Sequence, residues 1–142
     1  MGRPKDITAE IEDIIIELIS VSSDGLEKIC NANSILPNVR TVRRYIVDNE
    51  KFRHRYARAK EEQADVLADE IISIADELYE IASSELTNEK INSARLRIDS
   101  RKWTSAKLKP KKYGEKIDLT SGGEKLQQIA TIEVVHSTKN EN

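Results

Sequence analysis

The sequence is short of the devices that fix or anchor many small proteins. It has one cysteine, Cys30, so no intrachain disulfide can form, and its apolar neighbours at helical spacing predict a small core residue in a reducing compartment. Aromatic residues make up only 4% of the chain, and no apolar run is long enough to cross a membrane. The opening MGRPKDITAEIEDIII meets acids where a signal peptide would be apolar. Asp6 stands where a myristoylation signal needs Ser or Thr. Catalytic patterns are scarce too. His54 and His136 have no neighbouring Cys or His at metal-ligand spacing. No phosphate-cradling GxxxxGKS or GxxxxGKT loop occurs, and SGGEK precedes a strand pattern rather than a helix. Asp69 and Glu70 read as solvated or ion-paired acids. The expectation is a cytoplasmic protein that is not an enzyme and needs no cofactor, metal or membrane.

What the chain has in quantity is charge, 34% of its residues, at a formal net charge of only −2. The distribution is uneven. Residues 40–60 hold eight Lys or Arg against Asp48 and Glu50, residues 61–90 hold ten acids and only Lys90, and residues 95–116 hold nine bases against Asp99 and Glu115. A nucleic-acid partner produces such blocks, and so do antiparallel helices that neutralise each other. For the second basic block both causes stay open.

With 142 residues the chain holds about one domain. Thr8 is placed to cap a first helix whose Ile11, Ile14, Ile15, Leu18 and Ile19 share one face. SSDG ends it. A second short helix turns Leu26, Ile29 and Cys30 inward, NANSILP forms a turn because Pro37 biases Leu36 away from helix, and Asn38 caps a third helix. From Asn49 to Ala82 there is no Gly or Pro, and Phe52, Tyr56, Ala59, Gln63, Val66, Ile71, Ile74, Leu78 and Ile81 form an apolar stripe. A helix of this length, roughly 50 Å, is too long for the small bundle to cover, which implies closure by sister chains. Thr87 caps a further helix reaching Leu108, stopped by Pro110 and Gly114. The tail segments KIDLT and QIATIEVV flank SGGEK and predict a β-hairpin whose edges need pairing with other copies.

At 100° per residue the third helix puts Val39, Val42 and Ile46 on one side, with Tyr45 beside them, and Arg40, Thr41 and Arg44 on the other, with Arg43 at the border. That is a helix-turn-helix pattern, with arginines set to fork onto guanine edges or clamp phosphate. Lys51, Arg53, His54, Arg55 and Arg58 follow and are expected to grip the flanking DNA backbone. Arg3 and Lys5 in the GRPK arm suit the minor groove. The competing reading of these residues is a three-helix bundle with a solvated basic face.

The order GRPK, helix-turn-helix, DNEKFRHRYARAKEEQADVLADEIISIADE, ARLRIDSRKWTSAKLKPKKYGEK and a β-rich tail resembles the terminase small subunits of tailed double-stranded DNA bacteriophages. The similarity covers nearly the whole chain, and ARLRIDSRKW followed by PKKYGEK is its most specific part. The resemblance implies a mainly α protein. A helix-turn-helix bundle (residues 1–48) precedes a long helical hairpin for oligomerisation (49–113). C-terminal β-strands (114–136) join an intersubunit β-barrel, and a disordered tail (137–142) ends the chain. It implies binding of the packaging start site on concatemeric viral DNA, and recruitment and regulation of a large ATPase and nuclease subunit. The protein would be a ring of about eight copies in the host bacterial cytoplasm. Arg40, Thr41, Arg43 and Arg44 match the exposed positions of the family's recognition helix, and Trp103 lies on its second hairpin helix. Arg95, Arg97, Arg101 and Lys102 there are expected to pair with acids such as Asp76, Glu77 and Glu80. The rival readings are a dimeric helix-turn-helix transcriptional regulator and a coiled-coil adaptor.

Overall fold

Thr8 starts the first helix, its side chain accepting from the Ile11 amide at 3.4 Å. Glu10 and Glu12 in the first turn suit the positive end of the helix dipole. The computed structural model describes residues 6–115 together with the backbones of residues 120–121 and 124–125. Helix α1 (Ala9–Val21) is followed by α2 (Leu26–Ala32), α3 (Val39–Asp48), α4 (Glu50–Glu80), α5 (Asn88–Leu108) and a single turn, α6 (Pro110–Tyr113).

The first three helices and the start of α4 form a head. Ile15, Ile19, Leu26, Ile29, Cys30, Leu36, Val42, Phe52 and Ala59 make its buried core. The α2–α3 turn belongs to that core, because Leu36 and Pro37 are fully buried. Asn33 closes α2 by donating its side-chain amide to the Ile29 carbonyl at 2.7 Å, and Asn38 opens α3 by accepting from the Thr41 amide at 2.9 Å. A single residue then joins α3 to α4. The Asn49 amide donates to the Tyr45 carbonyl at 2.9 Å, and its side chain accepts from the Phe52 amide at 2.9 Å. One asparagine thus ends one helix and begins the next. The Phe52 ring meets Tyr45 edge-on at 5.2 Å between centroids.

Helix α4 runs 31 residues, about 46 Å at 1.5 Å per residue, and folds back through residues 81–87 onto α5. Gln63, Ala64, Leu67 and Ile74 of α4 and Ala94 and Ser105 of α5 are buried between them. Phe52, Gln63 and Ile74 lie eleven residues apart, as do Ala94 and Ser105, a spacing that returns to within about 20° on an α-helix and so keeps them on one face. The small side chains on α5 allow close approach.

Two expectations about the stripe are corrected here. Its Phe52, Tyr56, Ala59 and Ile74 do not wait for a sister chain, because Phe52 and Ala59 are each only 1% exposed inside the head, Tyr56 packs against the same core, and α5 covers Ile74. The seam also passes through Leu67 rather than Val66, which is half-buried like Ile71, Leu78 and Ile81. The reason is rotation: Leu67 follows Gln63 by four residues and stays over the seam, whereas Val66 turns off it. Phe52 and Ala59 of α4 complete the core that α1, α2 and α3 build.

Gly114 follows α6, and its amide donates to the Pro110 carbonyl at 2.9 Å. A Cβ there would stand 2.4 Å from that carbonyl oxygen, so only glycine fits. Beyond it, Thr120–Ser121 pairs antiparallel with Glu124–Lys125, with Thr120 opposite Lys125. The rest of the expected C-terminal strands, and the barrel they were expected to join, lie outside the described residues.

Candidate nucleic-acid interface

Helix α3 is held to the head by buried Val42 and half-buried Val39, Tyr45 and Ile46. That rotation sends Arg40, Arg43 and Arg44 outward, all three exposed. None meets a carboxylate at ion-pair distance among the described residues. Thr41 is different: it is half-buried, and its hydroxyl donates to the Asn38 side-chain oxygen at 3.2 Å, so it serves the cap of its own helix. Arg44, Tyr45 and Asp48 line an open groove of about 620 Å³ that continues past Asn38 and Thr41 to Asp6 and Ile7. Arg3 and Lys5 themselves lie outside the described residues.

The cations after α3 are mostly engaged within the chain. Arg55 bridges back to α1, 3.0 Å from Glu12 and 2.5 Å from Asp13. The bond to Asp13 pushes its guanidinium up, with Glu12 adding to the effect. Arg53 donates to the Val47 carbonyl at 3.0 Å, bracing the last turn of α3. Arg58 faces Glu62 at 3.6 Å with both side chains largely exposed, a loose pair. Lys51 is exposed and meets no acid among the described residues. Of the expected backbone-gripping set, His54 faces Glu50 at 3.7 Å, only Lys51 is unpaired among the described residues, and Arg55 is turned onto α1. The sequence could not show this, because Glu12 and Asp13 lie more than forty residues upstream. Tyr45 belongs to the same network: its hydroxyl donates to Glu12 at 2.5 Å, which pushes its pKa up, and accepts from the Asn49 side chain at 3.0 Å.

Head and hairpin meet at the end of α1. The Gln63 amide, 2% exposed, donates to the main-chain carbonyls of Ser22 and Asp24, while its oxygen accepts from Lys60. Burial pushes the Lys60 ammonium down. Burial pushes Glu70 up, but hydrogen bonds from Ser23 and Arg101 outweigh it and leave that carboxyl below its usual value. Just past the C-terminal end of α5, Asp65 accepts from Lys109 at 2.8 Å, Lys112 at 2.9 Å and Tyr113 at 2.6 Å, tying α6 to α4.

The cations of α5 divide. Arg97 faces Glu77 at 3.5 Å and Arg101 bonds Glu70 at 2.5 Å, inside the hairpin. Arg95 and Lys102 are exposed and make no ion pair among the described residues, and the same holds for Asp76 and Glu80 on α4. These unpaired charges border two apolar patches that periodicity alone did not reveal. Ile72 (65% exposed) and Tyr79 (92%) stand seven residues apart on the back of α4. Leu96 (69%) and Trp103 (64%) stand seven apart on the back of α5. Both backs point away from the hairpin seam. One is acidic, with Asp69, Asp76 and Glu80, while the other is mainly basic, with Arg95, Lys102 and Lys107, the last lying 5.7 Å from the Trp103 ring centre.

Among the described residues no helix is long and apolar enough to cross a membrane, and no group of three His, Cys, Asp or Glu could hold a metal ion.

Residues 7–120 match the family described as bacteriophage Sf6, terminase small subunit-like. The crystal structure of the terminase small subunit gp1 of the bacterial virus Sf6, in a lysine-to-glutamate variant, is similar with a TM-score of 0.69 and 35% identity, covering 95% of this chain and 98% of that one. An aspartate-to-arginine variant of gp1 gives 0.70 and 34% over the same shares, and an arginine-to-alanine variant gives 0.71 and 36% over 85% of this chain and 92% of that one. No curated protein matches the sequence.

Proposed function

Because the chain belongs to the Sf6-like family of phage terminase small subunits, a non-catalytic family of phage DNA packaging, we propose that it is the DNA-recognition subunit of a packaging motor. In this reading it binds the packaging start site on concatemeric viral double-stranded DNA in the host bacterial cytoplasm. It brings that DNA to the large ATPase and nuclease subunit and regulates it.

The observation that carries the reading is the division among the arginines. Arg53 and Arg55 are engaged inside the head, while Arg40, Arg43 and Arg44 on α3 are exposed and form no ion pair among the described residues. A guanidinium left this way suits guanine edges and phosphate.

The assembly proposed is a ring of about eight copies, in which the acidic back of α4 of one copy packs on the basic back of α5 of the next. The two patches differ in charge and lie on opposite sides of the hairpin, so the contact is head-to-tail. A dimer built on either patch alone would set like charges together, which disfavours the dimeric regulator. Several heads on one ring gain affinity through effective concentration. The test is equilibrium binding of the full chain to duplex DNA across a salt series, with Arg40→Ala/Arg44→Ala as the comparison. Unchanged affinity in that variant contradicts the reading.

A further inference from the structure

We infer that Val47 reads sequence at the α3 face by packing on the 5-methyl group of a thymine in the major groove. This rests on the DNA-recognition reading above and adds a specificity determinant to it. Arg40, Arg43, Arg44 and Val47 stand at positions i, i+3, i+4 and i+7, one face of one helix. Val47 is 70% exposed there, an apolar side chain at the end of a row of guanidinium groups. Its place is fixed: Arg53 donates to its carbonyl at 3.0 Å and Asn49 closes the helix one turn after Tyr45. Its β-branch holds χ1 in essentially one rotamer on a helix, so the methyls are presented rigidly.

The chemistry of this last turn selects what it can face. Asp48 is exposed beside Val47, and a carboxylate is repelled by phosphate. The end of α3 is therefore unsuited to the sugar-phosphate backbone and suited to the floor of the groove. Of the four bases only thymine offers an apolar group there. Val47 lies about 4.5 Å along the helix axis from Arg44 and about 10 Å from Arg40. At about 3.4 Å per base pair, its thymine falls one to three base pairs from the bases met by those arginines.

The test uses the full chain and a duplex selected by it from a random library. Each thymine is replaced singly by deoxyuridine, which removes the methyl and leaves base pairing intact. Wild type should show one thymine whose replacement weakens binding about three- to fivefold, the scale of one buried methyl. Val47→Ser should lose that sensitivity at that position only, with an unchanged melting temperature because the residue is exposed. Val47→Thr, which keeps one methyl, should retain part of it. Equal sensitivity of wild type and Val47→Ser at every thymine overturns the inference. So does insensitivity of wild type throughout. Failure of the underlying reading looks different: there the full chain does not bind duplex DNA, or Arg40→Ala/Arg44→Ala binds it as well as wild type.

Discussion

The side-chain amide of Gln63 donates to the main-chain carbonyl of Ser22 at 2.5 Å, across a sequence separation of 41 residues. The same nitrogen donates to the Asp24 carbonyl at 3.0 Å. Ser22 ends α1 and Gln63 lies midway along α4, so one buried amide satisfies the α1–α2 loop and ties the head to the hairpin. Gln63→Leu keeps the volume and removes the donor, leaving two carbonyls without it. The expected loss is about 2–4 kcal/mol of unfolding free energy, read by urea denaturation. A change within about 0.5 kcal/mol contradicts this role.

Asp65, two residues along α4 from Gln63, holds the C-terminal end of α5 and α6. The hydrogen bonds from Lys109, Tyr113 and Lys112 hold its carboxyl well below the usual carboxylate range, and the contact with Asp65 pushes Lys112 up in turn. A carboxylate depressed on folding contributes stability that is full above its unfolded pKa, about 4, and is lost as pH falls through the lower folded value. Asp65→Asn should therefore flatten the acid limb of the stability profile below about pH 4. It should also speed amide exchange in residues 111–114. An acid limb as steep as wild type's contradicts the clasp.

Two kinds of arginine should separate in DNA binding. Arg40→Ala and Arg44→Ala should each weaken binding with no change in melting temperature. Each should also reduce the salt slope, by about 0.9 for every phosphate that the missing guanidinium had neutralised. Arg55→Ala should leave the salt slope unchanged while lowering the stability of the head by about 0.5–1 kcal/mol, as expected for a partly exposed ion pair. Equal effects of Arg55→Ala and Arg44→Ala on the salt slope would place Arg55 at the DNA after all.

The two backs of the hairpin should fail together. Tyr79→Arg and Trp103→Glu each put a charge into the proposed contact and should each dissociate the assembly, with helix content retained by circular dichroism. Phe52→Ala, by contrast, should unfold the head, at a cost of about 3–5 kcal/mol, because the ring is 1% exposed within one chain.

Local chemistry was legible from the sequence. Thr8, Asn38 and Thr87 each accept an amide at a helix start as expected, because capping is written in a few consecutive residues; the Asn49 cap of α4 emerged only from the structure. The outward placement of Arg40 and Arg44 followed from a ten-residue helix with clear periodicity, whereas Arg43, read at the border, is exposed and Thr41, read as outward, is half-buried. What could not be read was the partner of each long-range contact. The stripe on α4 gave the right face, yet whether a sister chain or α1, α3 and α5 covered Phe52 and Ile74 depends on tertiary closure. The same blindness hid the Arg55 bridge to Glu12 and Asp13, and the Gln63 amide, which looked like one more polar residue in a stripe. Ile72, Tyr79, Leu96 and Trp103 carried a readable signal in their seven-residue spacing, but only their exposure after the seam had closed distinguishes them from core.

The native mass of the purified full chain, measured at micromolar concentration and moderate salt, tests the central claim most directly. A single species near eight chain masses, collapsing to the monomer on Trp103→Glu, is the result predicted. A stable monomer, or a dimer that persists in Trp103→Glu, contradicts it.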